Sequence, residues 1–285
     1  MTAVGIQTVG VVGAGFMGSG IAESVARAGA RVLVHELDEG ALTRSRERIE
    51  SSVARAVAGG KMTREEGDAL IGRVEWTREF HRLSEAQLAI EAVVEDEAVK
   101  AAIFERLDAV LAPEAIIASN TSSIPIAQLA AATDRPDRVL GLHFFSPVPV
   151  MKLVEIVVAL ETSEETVARA EAFAQALGKQ AVRTKDRSGF IVNMLLVPYL
   201  MAAVRMYEEG FASPEDIDTA MKLGASHPMG PLTLADFIGL DVLYAVCNSL
   251  YEEFKRDEYA PPPLMKRMVA AGRLGRKTGR GFFDY

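Results

Sequence analysis

One apolar stretch of this 285-residue chain carries two side chains that can exchange protons. In GLHFFSPVPVMKLVE, residues 141–155, His143 stands near the start and Glu155 at the end. Ionisable groups are costly in apolar surroundings unless they meet each other or a ligand. A base that works near neutral pH is most often histidine, and a neighbouring carboxylate can orient the imidazole and stabilise its cation. The stretch therefore suggests a general base with its orienting partner, and the alternative is a core histidine without a catalytic role.

Polar residues also follow a second apolar run. Asn120–Ser123, in ASNTSSIPI, comes after a predicted strand at 115–118, and His143 ends a predicted strand at 139–142. Open α/β sheets bind their ligands outside the carboxyl ends of the strands. We therefore expect the hydroxyl groups and His143 to lie at the same edge of a sheet. The hydroxyl groups could instead cap the helix that follows.

A glycine-rich segment joins the first apolar run to the first predicted helix. It reads GAGFMG, and a second predicted strand ends just before Glu36. In this context the pattern indicates dinucleotide binding, with the pyrophosphate at the amino end of the helix. Glu36 would accept hydrogen bonds from the adenosine ribose and repel a 2′-phosphate, so the predicted cofactor is NAD. A glycine turn without a ligand is the alternative. The candidate cofactor residues here are Gly13, Ala14, Gly15, Phe16, Met17, Gly18 and Glu36.

The elements that must hold these residues alternate in type. Apolar runs at 6–12, 31–35, 74–76, 88–93, 115–118, 139–142 and 154–158 predict strands, and amphipathic runs at 17–28, 97–111 and 164–177 predict helices. Such alternation indicates a mostly parallel sheet covered by helices, a Rossmann-type α/β domain. An insertion at about 38–72 predicts a helical hairpin that turns at Gly59-Gly60, although a merely solvated helical face would look similar.

Beyond Gly189 the strand-like runs stop. The remaining patterns are helical, and Ser213 followed by Pro214 predicts a helix start. We therefore expect a dinucleotide-binding domain over 1–187 and an all-helical domain over 188–285.

Composition narrows the classes of function. A net charge of −8 argues against a nucleic-acid partner, and the single cysteine fits a reducing compartment. Neither a signal peptide nor an apolar run of about 18 residues is evident, so we expect a cytoplasmic protein without membrane association. The four histidines have no zinc-like spacing, and no metal is expected.

Taken together, the motifs resemble the L-3-hydroxyacyl-CoA dehydrogenases, most of all the short-chain 3-hydroxybutyryl-CoA dehydrogenases. The resemblance covers the whole chain and rests on GAGFMG, EAVVED, SNTSSI, GLHFFSPVPVMKLVE, GFIVN, KLGASHPMGPLTLADFIGLD and GRKTGRGFF. It implies a Rossmann-type domain, a helical domain that forms a homodimer, and reversible NAD-linked oxidation of a (3S)-3-hydroxyacyl-CoA, with acyl-CoA as the bound partner.

The resemblance also implies roles for particular residues. His143 matches the catalytic base, Glu155 its carboxylate partner, and Ser122 and Asn193 the residues that hold the substrate oxygens, with Ser122 also bordering the cofactor. Ser146 stands where the family usually has asparagine, so the cofactor contact at that position is open. Further matches to cofactor contacts are Glu95, Lys100 and Lys277, and those to coenzyme A contacts are Ser52 and, more loosely, Lys61.

Two rival hypotheses remain open from the sequence. The first is an NAD-dependent dehydrogenase of a hydroxy acid that carries no coenzyme A, such as a sugar acid. The second is a nucleotide-binding or structural protein that keeps the fold without the activity. The complete set of Ser122, His143, Glu155 and Asn193 argues against the second.

Overall fold

The computed structural model describes residues 5–285, which form two compact units. The first unit ends at Asp186, and the second comprises Arg187–Tyr285. The division lies beside the boundary that the change of pattern near residue 187 predicts. Each unit has its own cluster of buried apolar side chains.

The first unit is built on one sheet of eight strands within the described residues. Its spatial order is β3-β2-β1-β4-β5-β6-β7-β8, and the strands from β1 to β6 pair in parallel. The order reverses between β1 and β4, which is where open α/β sheets form their ligand crevice. The mostly parallel Rossmann-type sheet is therefore confirmed. The strands are β1 Thr8–Val12, β2 Arg31–His35, β3 Val74–Thr77, β4 Leu88–Glu91, β5 Ile116–Ser119, β6 Val139–Phe144, β7 Leu153–Val158 and β8 Gln180–Lys185.

Two strands at one side of the sheet depart from the simple pattern. β7 runs antiparallel to β6, and β8 pairs in parallel with β7 at the edge. No pattern in the sequence predicted β8. Its residues, QAVRTK, are half-buried or exposed and carry charges, as edge strands often do, so the strand has no apolar run to reveal it.

Helices cover the sheet, and two of them form a hairpin that packs against the core of this unit. Asp38 caps α2 through its carboxylate, and Thr63 and Glu66 form a reciprocal capping box at the start of α3. The two helices form the predicted hairpin, and side chains from both join the core of the unit, so the hairpin is more than a solvated face. The helices of this unit are α1 Phe16–Arg27, α2 Glu39–Ala58, α3 Arg64–Ile71, α4 Glu97–Val110, α5 Ile126–Ala130 and α6 Glu164–Ala176, with short 3₁₀ turns at Phe80–Glu85 and Pro136–Arg138.

The second unit is helical, as predicted. Ser213 accepts a hydrogen bond from the Asp216 N–H, 3.1 Å away, and Pro214 occupies the first helical position. The buried Asp236 carboxylate accepts the N–H groups of Phe282 and Phe283, both at 3.0 Å, and so fixes the end of the chain against α9. The helices are α7 Val192–Glu208, α8 Pro214–Gly224, α9 Pro231–Ile238, α10 Leu240–Phe254 and α11 Pro263–Ala270, followed by a 3₁₀ turn at Arg276–Thr278.

Over residues 5–285, no single helix is long and apolar enough to cross a membrane. The pair α9 and α10 reaches that length and composition only when combined, and the two helices meet at 97°.

Candidate active site

The glycine-rich turn after β1 leaves open space where a dinucleotide would lie. Gly13 has a φ of +105°, and a Cβ there would lie 2.6 Å from the Ala92 carbonyl oxygen. A Cβ on Gly18 would lie 1.9 Å from the Gly13 oxygen, so this glycine is required for close packing of α1 on the turn. Gly15, in contrast, has no heavy atom within 4 Å of its missing Cβ position and stands at the start of α1. The turn therefore has the spacing, the open glycine and the helix terminus that fit NAD.

Glu36 lies directly beyond β2 and beside this turn. Its Oε1 accepts the Leu37 N–H at 2.8 Å, and its Oε2 lies 3.5 Å from the Ala14 nitrogen. The carboxylate thus stands next to the glycine segment, where the sequence analysis expects the adenosine ribose. Three apolar side chains near the ends of α1, β2 and β4 are largely exposed, namely Phe16, Leu37 and Val94.

His143 and Glu155 are directly opposite each other on neighbouring strands. They are register partners in the antiparallel β6–β7 ladder, and His143 Nδ1 lies 2.6 Å from Glu155 Oε2. His143 is 6% exposed and Glu155 is 0% exposed. The chain returns through a loop that contains Pro147 and Pro149, as the sequence analysis expects. The two side chains form a buried pair near the carboxyl end of β6.

The other buried histidine of this unit, His35, has the environment of a core histidine without a catalytic role. His35, at the end of β2, packs edge-on against Phe80 with ring centroids 4.9 Å apart. Burial lowers the pKa of His35, so this imidazole is neutral near pH 7. His35 is thus a core histidine, whereas His143 has a carboxylate partner.

The hydroxyl-rich turn after β5 gathers around Glu95. The Glu95 Oε1 atom accepts the Thr121 hydroxyl at 2.5 Å, the Ser122 N–H at 3.0 Å and the Ser123 hydroxyl at 3.0 Å. Ser122 Oγ lies 3.5 Å from the same oxygen. Asn120, at the start of this turn, accepts the Phe144 N–H at 3.0 Å and so joins the ends of β5 and β6 beside His143. The structure thus brings the turn and the histidine strand together.

The suggestion that these hydroxyl groups cap the next helix is wrong. The Ile126 and Ala127 N–H groups at the start of α5 are bound by the Asp186 carboxylate, at 2.8 and 2.7 Å. The Thr121 hydroxyl accepts the Ser123 and Ile124 N–H groups one turn earlier. A residue 60 positions away performs the capping, and local sequence gives no sign of such a partner.

A buried carboxylate that the sequence analysis did not single out lies beneath Glu95. Glu91, the last residue of β4, accepts the Lys100 ammonium at 2.7 Å and the Ser119 hydroxyl at 2.6 Å. Lys100 Nζ also lies 3.2 Å from Glu95 Oε2. Although burial raises the pKa of Glu95, Lys100 and the hydrogen bonds from the 121–122 segment hold that pKa below its usual value. Lys100 is 1% exposed and lies behind Glu95, so its direct contact with a cofactor stays a prediction.

The remaining predicted residues are spread over both units. Ser146 is exposed just after β6, Ser52 is half-buried in α2, and Lys61 is exposed just after the hairpin turn. In the second unit, Asn193 is the second residue of α7 and half-buried. Lys277, also in that unit, pairs with Asp241, its Nζ 2.6 Å from Asp241 Oδ2.

Comparison with known proteins identifies the family. The family model described as 3-hydroxyacyl-CoA dehydrogenase, NAD binding domain, matches residues 8–187, and the model of the C-terminal domain matches residues 189–285. The chain is 58% identical over 282 residues to a 3-hydroxybutyryl-CoA dehydrogenase of Mycobacterium tuberculosis, covering 98% of this chain and 99% of that protein. It is 44% identical to the mitochondrial hydroxyacyl-coenzyme A dehydrogenase of Sus scrofa, covering 98% of this chain and 91% of that protein.

A solved structure agrees with these matches. The crystal structure of (S)-3-hydroxybutyryl-CoA dehydrogenase from Ralstonia eutropha superposes with a TM-score of 0.93 at 45% identity, covering 98% of this chain and 99% of that chain. The model that matches residues 8–187 describes an NAD-binding domain, in agreement with the glycine turn and the sheet order, and both family models match without a long gap between them. The chain belongs to the 3-hydroxyacyl-CoA dehydrogenase family.

Proposed function

We propose that this NAD-dependent 3-hydroxyacyl-CoA dehydrogenase acts on short-chain substrates, with 3-hydroxybutyryl-CoA preferred and His143 as its general base. The observation that carries the proposed mechanism is the buried pair in which His143 Nδ1 lies 2.6 Å from Glu155 Oε2. The substrate preference is supported by the names of the relatives at 58% and 45% identity.

The proposed mechanism divides the oxidation of a secondary alcohol into two transfers. NAD, when bound, supplies the acceptor for the hydride from carbon. His143 takes the hydroxyl proton through Nε2, because Nδ1 faces Glu155. The Glu155 carboxylate accepts a hydrogen bond from the Nδ1–H group, which fixes the tautomer and stabilises the imidazolium as it forms. In the reverse direction the same imidazolium returns the proton to the alkoxide.

The low exposure of the pair supports this role. Both side chains are shielded from water, so the attraction between the imidazolium and the carboxylate is stronger than it would be at the surface. Removing one partner of such a buried pair is costly, because the charge on the other partner then stays buried without compensation. The buried carboxylate is thus placed to stabilise the imidazolium that the proposed mechanism forms.

Ser122 is the proposed donor to the substrate oxygen. Its hydroxyl group stands on the turn after β5, which Asn120 ties to the end of β6 beside His143. A donor in this position would stabilise the negative charge that develops on oxygen. For Asn193 we propose the substrate contact that the family resemblance implies, and for Ser52 and Lys61 the coenzyme A contacts.

A homodimer is also proposed. Several large apolar side chains of the second unit are exposed, and a self-association surface would cover them. They include Leu195, Phe211, Leu223, Phe237 and Val242.

Steady-state assays test the proposed substrate. Initial rates are measured for a series of 3-oxoacyl-CoA thioesters of increasing chain length, each with NADH and with NADPH, alongside free acetoacetate as the matched control without coenzyme A. We expect the highest kcat/KM with acetoacetyl-CoA and NADH and little turnover of the free acid. Equal turnover of the free acid would favour the hydroxy-acid alternative, and a preference for long chains would overturn the short-chain assignment.

A further inference from the structure

Glu91 contacts both strand β5 and helix α4, beside the turn that carries Ser122. It ends β4 and is 0% exposed. Its Oε1 accepts the Lys100 ammonium at 2.7 Å and the Val93 N–H at 2.6 Å, and its Oε2 accepts the Ser119 hydroxyl at 2.6 Å. Because it is fully buried, Glu91 cannot itself touch a substrate, and any effect on the reaction must pass through these partners.

Two chains of polar contacts lead from Glu91 to the turn. In the first, Lys100 Nζ also lies 3.2 Å from Glu95 Oε2, and Glu95 Oε1 accepts the Ser122 N–H at 3.0 Å. In the second, the Ser119 hydroxyl that donates to Glu91 accepts the Thr121 N–H at 3.0 Å. The position of Ser122 is thus constrained from the side of α4 and from the end of β5.

The charges of this cluster explain why a carboxylate is needed at position 91. Lys100 stands between two carboxylates, and Glu91 makes the closer contact. Without the charge on Glu91, the buried ammonium has only Glu95 as its anionic partner and draws that carboxylate toward α4. Glu95 is the acceptor for Ser122 and its neighbours, so this movement would displace the turn. An amide at position 91 can keep a hydrogen bond to Ser119 but cannot balance the ammonium.

We infer that Glu91 is a positioning residue for the reaction, which holds the Ser122 donor in place through Lys100–Glu95 and through Ser119. The inference rests on the proposed function, in which Ser122 binds the substrate oxygen. It goes beyond that function by assigning a role to a residue that contacts neither substrate nor cofactor.

A double-mutant cycle between positions 91 and 122 tests this role, with kcat measured on acetoacetyl-CoA and NADH. In the wild-type background, Ser122→Ala should lower kcat by about 10²-fold, the usual cost of losing one donor to a developing oxyanion. In the Glu91→Gln background the same change should cost less than about tenfold, because the donor is already misplaced. A merely structural role for Glu91 would leave the cost of Ser122→Ala unchanged.

Asp108→Asn is the matched control. Asp108 lies on the same helix as Lys100 and forms a partly buried ion pair with Arg135 at 2.6 Å. Neither residue of this pair belongs to the contacts that hold the Ser122 turn. In this background Ser122→Ala should keep its full cost of about 10²-fold. An equally reduced cost of Ser122→Ala in the control background would mean that any weakened ion pair has this effect, and it would overturn the inference.

Three outcomes separate the inference from the proposed function. If Ser122→Ala still lowers kcat by about 10²-fold in the Glu91→Gln background, the positioning role is overturned but the proposed function is not. No turnover of acetoacetyl-CoA by the wild-type enzyme overturns the proposed function, and the inference falls with it. If Glu91→Gln does not fold, Glu91→Gln/Lys100→Met removes both buried charges. The cost of Ser122→Ala should again fall below about tenfold in that background, and a full cost there also overturns the positioning role.

Discussion

At the scale of single residues, the sequence predicted the partners of the central pair but not the support beneath the site. His143 and Glu155 could be paired because both are ionisable residues in one apolar stretch, with prolines between them to turn the chain. Glu91 stood within a quoted motif, EAVVED, yet its role was not evident. Its partners come from β5 and α4, and sequence spacing does not reveal which buried carboxylate faces which lysine.

Replacing Glu155 tests the orienting role. Glu155→Gln keeps the size of the side chain and removes the charge that stabilises the imidazolium. We expect kcat to fall by about tenfold or more, since about 1.4 kcal/mol of lost stabilisation corresponds to a factor of ten. The loss should be smaller than that of His143→Gln, and the double variant should cost much less than the product of the single effects. Multiplicative effects would show that the two residues act independently.

Replacing Glu36 tests the choice of cofactor. Glu36→Gln removes the charge that would repel a 2′-phosphate, so the ratio of kcat/KM for NADH over NADPH should narrow by about tenfold, or about 1.4 kcal/mol. Glu39→Gln, an exposed carboxylate at the start of α2, serves as the control and should leave the ratio unchanged. An unaltered ratio in Glu36→Gln would contradict the assignment.

At the scale of elements, apolar runs predicted both ends of seven strands to within two residues, because buried strands of a parallel sheet are continuously apolar. β8 was missed because an edge strand needs no such run. The hairpin of α2 and α3 was predicted by its glycine turn, whereas its contribution to the core became evident only from the packing of both helices.

An ion-pair cluster holds β2, β3 and the 3₁₀ turn after them together, and it should weaken in acid. Hydrogen bonding to Arg31, with a further contribution from Arg82, lowers the pKa of Glu75 from 4.5 to about 2. Because the folded-state pKa is depressed, the contribution to stability is present above about pH 4.5 and is lost as the pH falls toward 2. Its magnitude is about 0.2–1 kcal/mol per pair, since these side chains are partly exposed.

Urea unfolding of wild type and Glu75→Gln at several pH values measures this effect. The variant should be less stable at pH 6, and the difference should narrow steadily below pH 4.5. Glu105→Gln, an exposed carboxylate on α4, is the control and should show no such narrowing. A difference that stays constant down to about pH 2 would contradict the role of the cluster.

At the scale of the whole molecule, the change from alternating strands to helices near residue 187 predicted two parts, and the chain has two compact units that divide after Asp186. The long-range hydrogen bonds that fix the end of the chain could not be predicted. They depend on a buried aspartate, Asp236, whose carboxylate accepts hydrogen bonds from the N–H groups of Phe282 and Phe283, 46 and 47 positions later.

Light scattering tests the proposed dimer. We expect wild type at micromolar concentration to have the mass of two chains, because the second unit exposes large apolar side chains on several helices. Phe237→Glu, which places a charge on α9, should shift the equilibrium toward the monomer. Leu160→Glu is the control, since Leu160 is 88% exposed in the first unit and lies outside the proposed surface. A monomeric wild type would refute the dimer.

The central claim, that His143 is the general base, is tested most directly by the kcat of His143→Gln on acetoacetyl-CoA and NADH. We expect a loss of roughly 10²–10⁴-fold in kcat, with an unchanged circular dichroism spectrum and nearly unchanged NADH affinity. His81→Gln, at an exposed histidine, should retain wild-type kcat in the same assay. A His143→Gln enzyme with nearly wild-type kcat, or one that no longer folds, would make His143 a core residue like His35 and would contradict the mechanism.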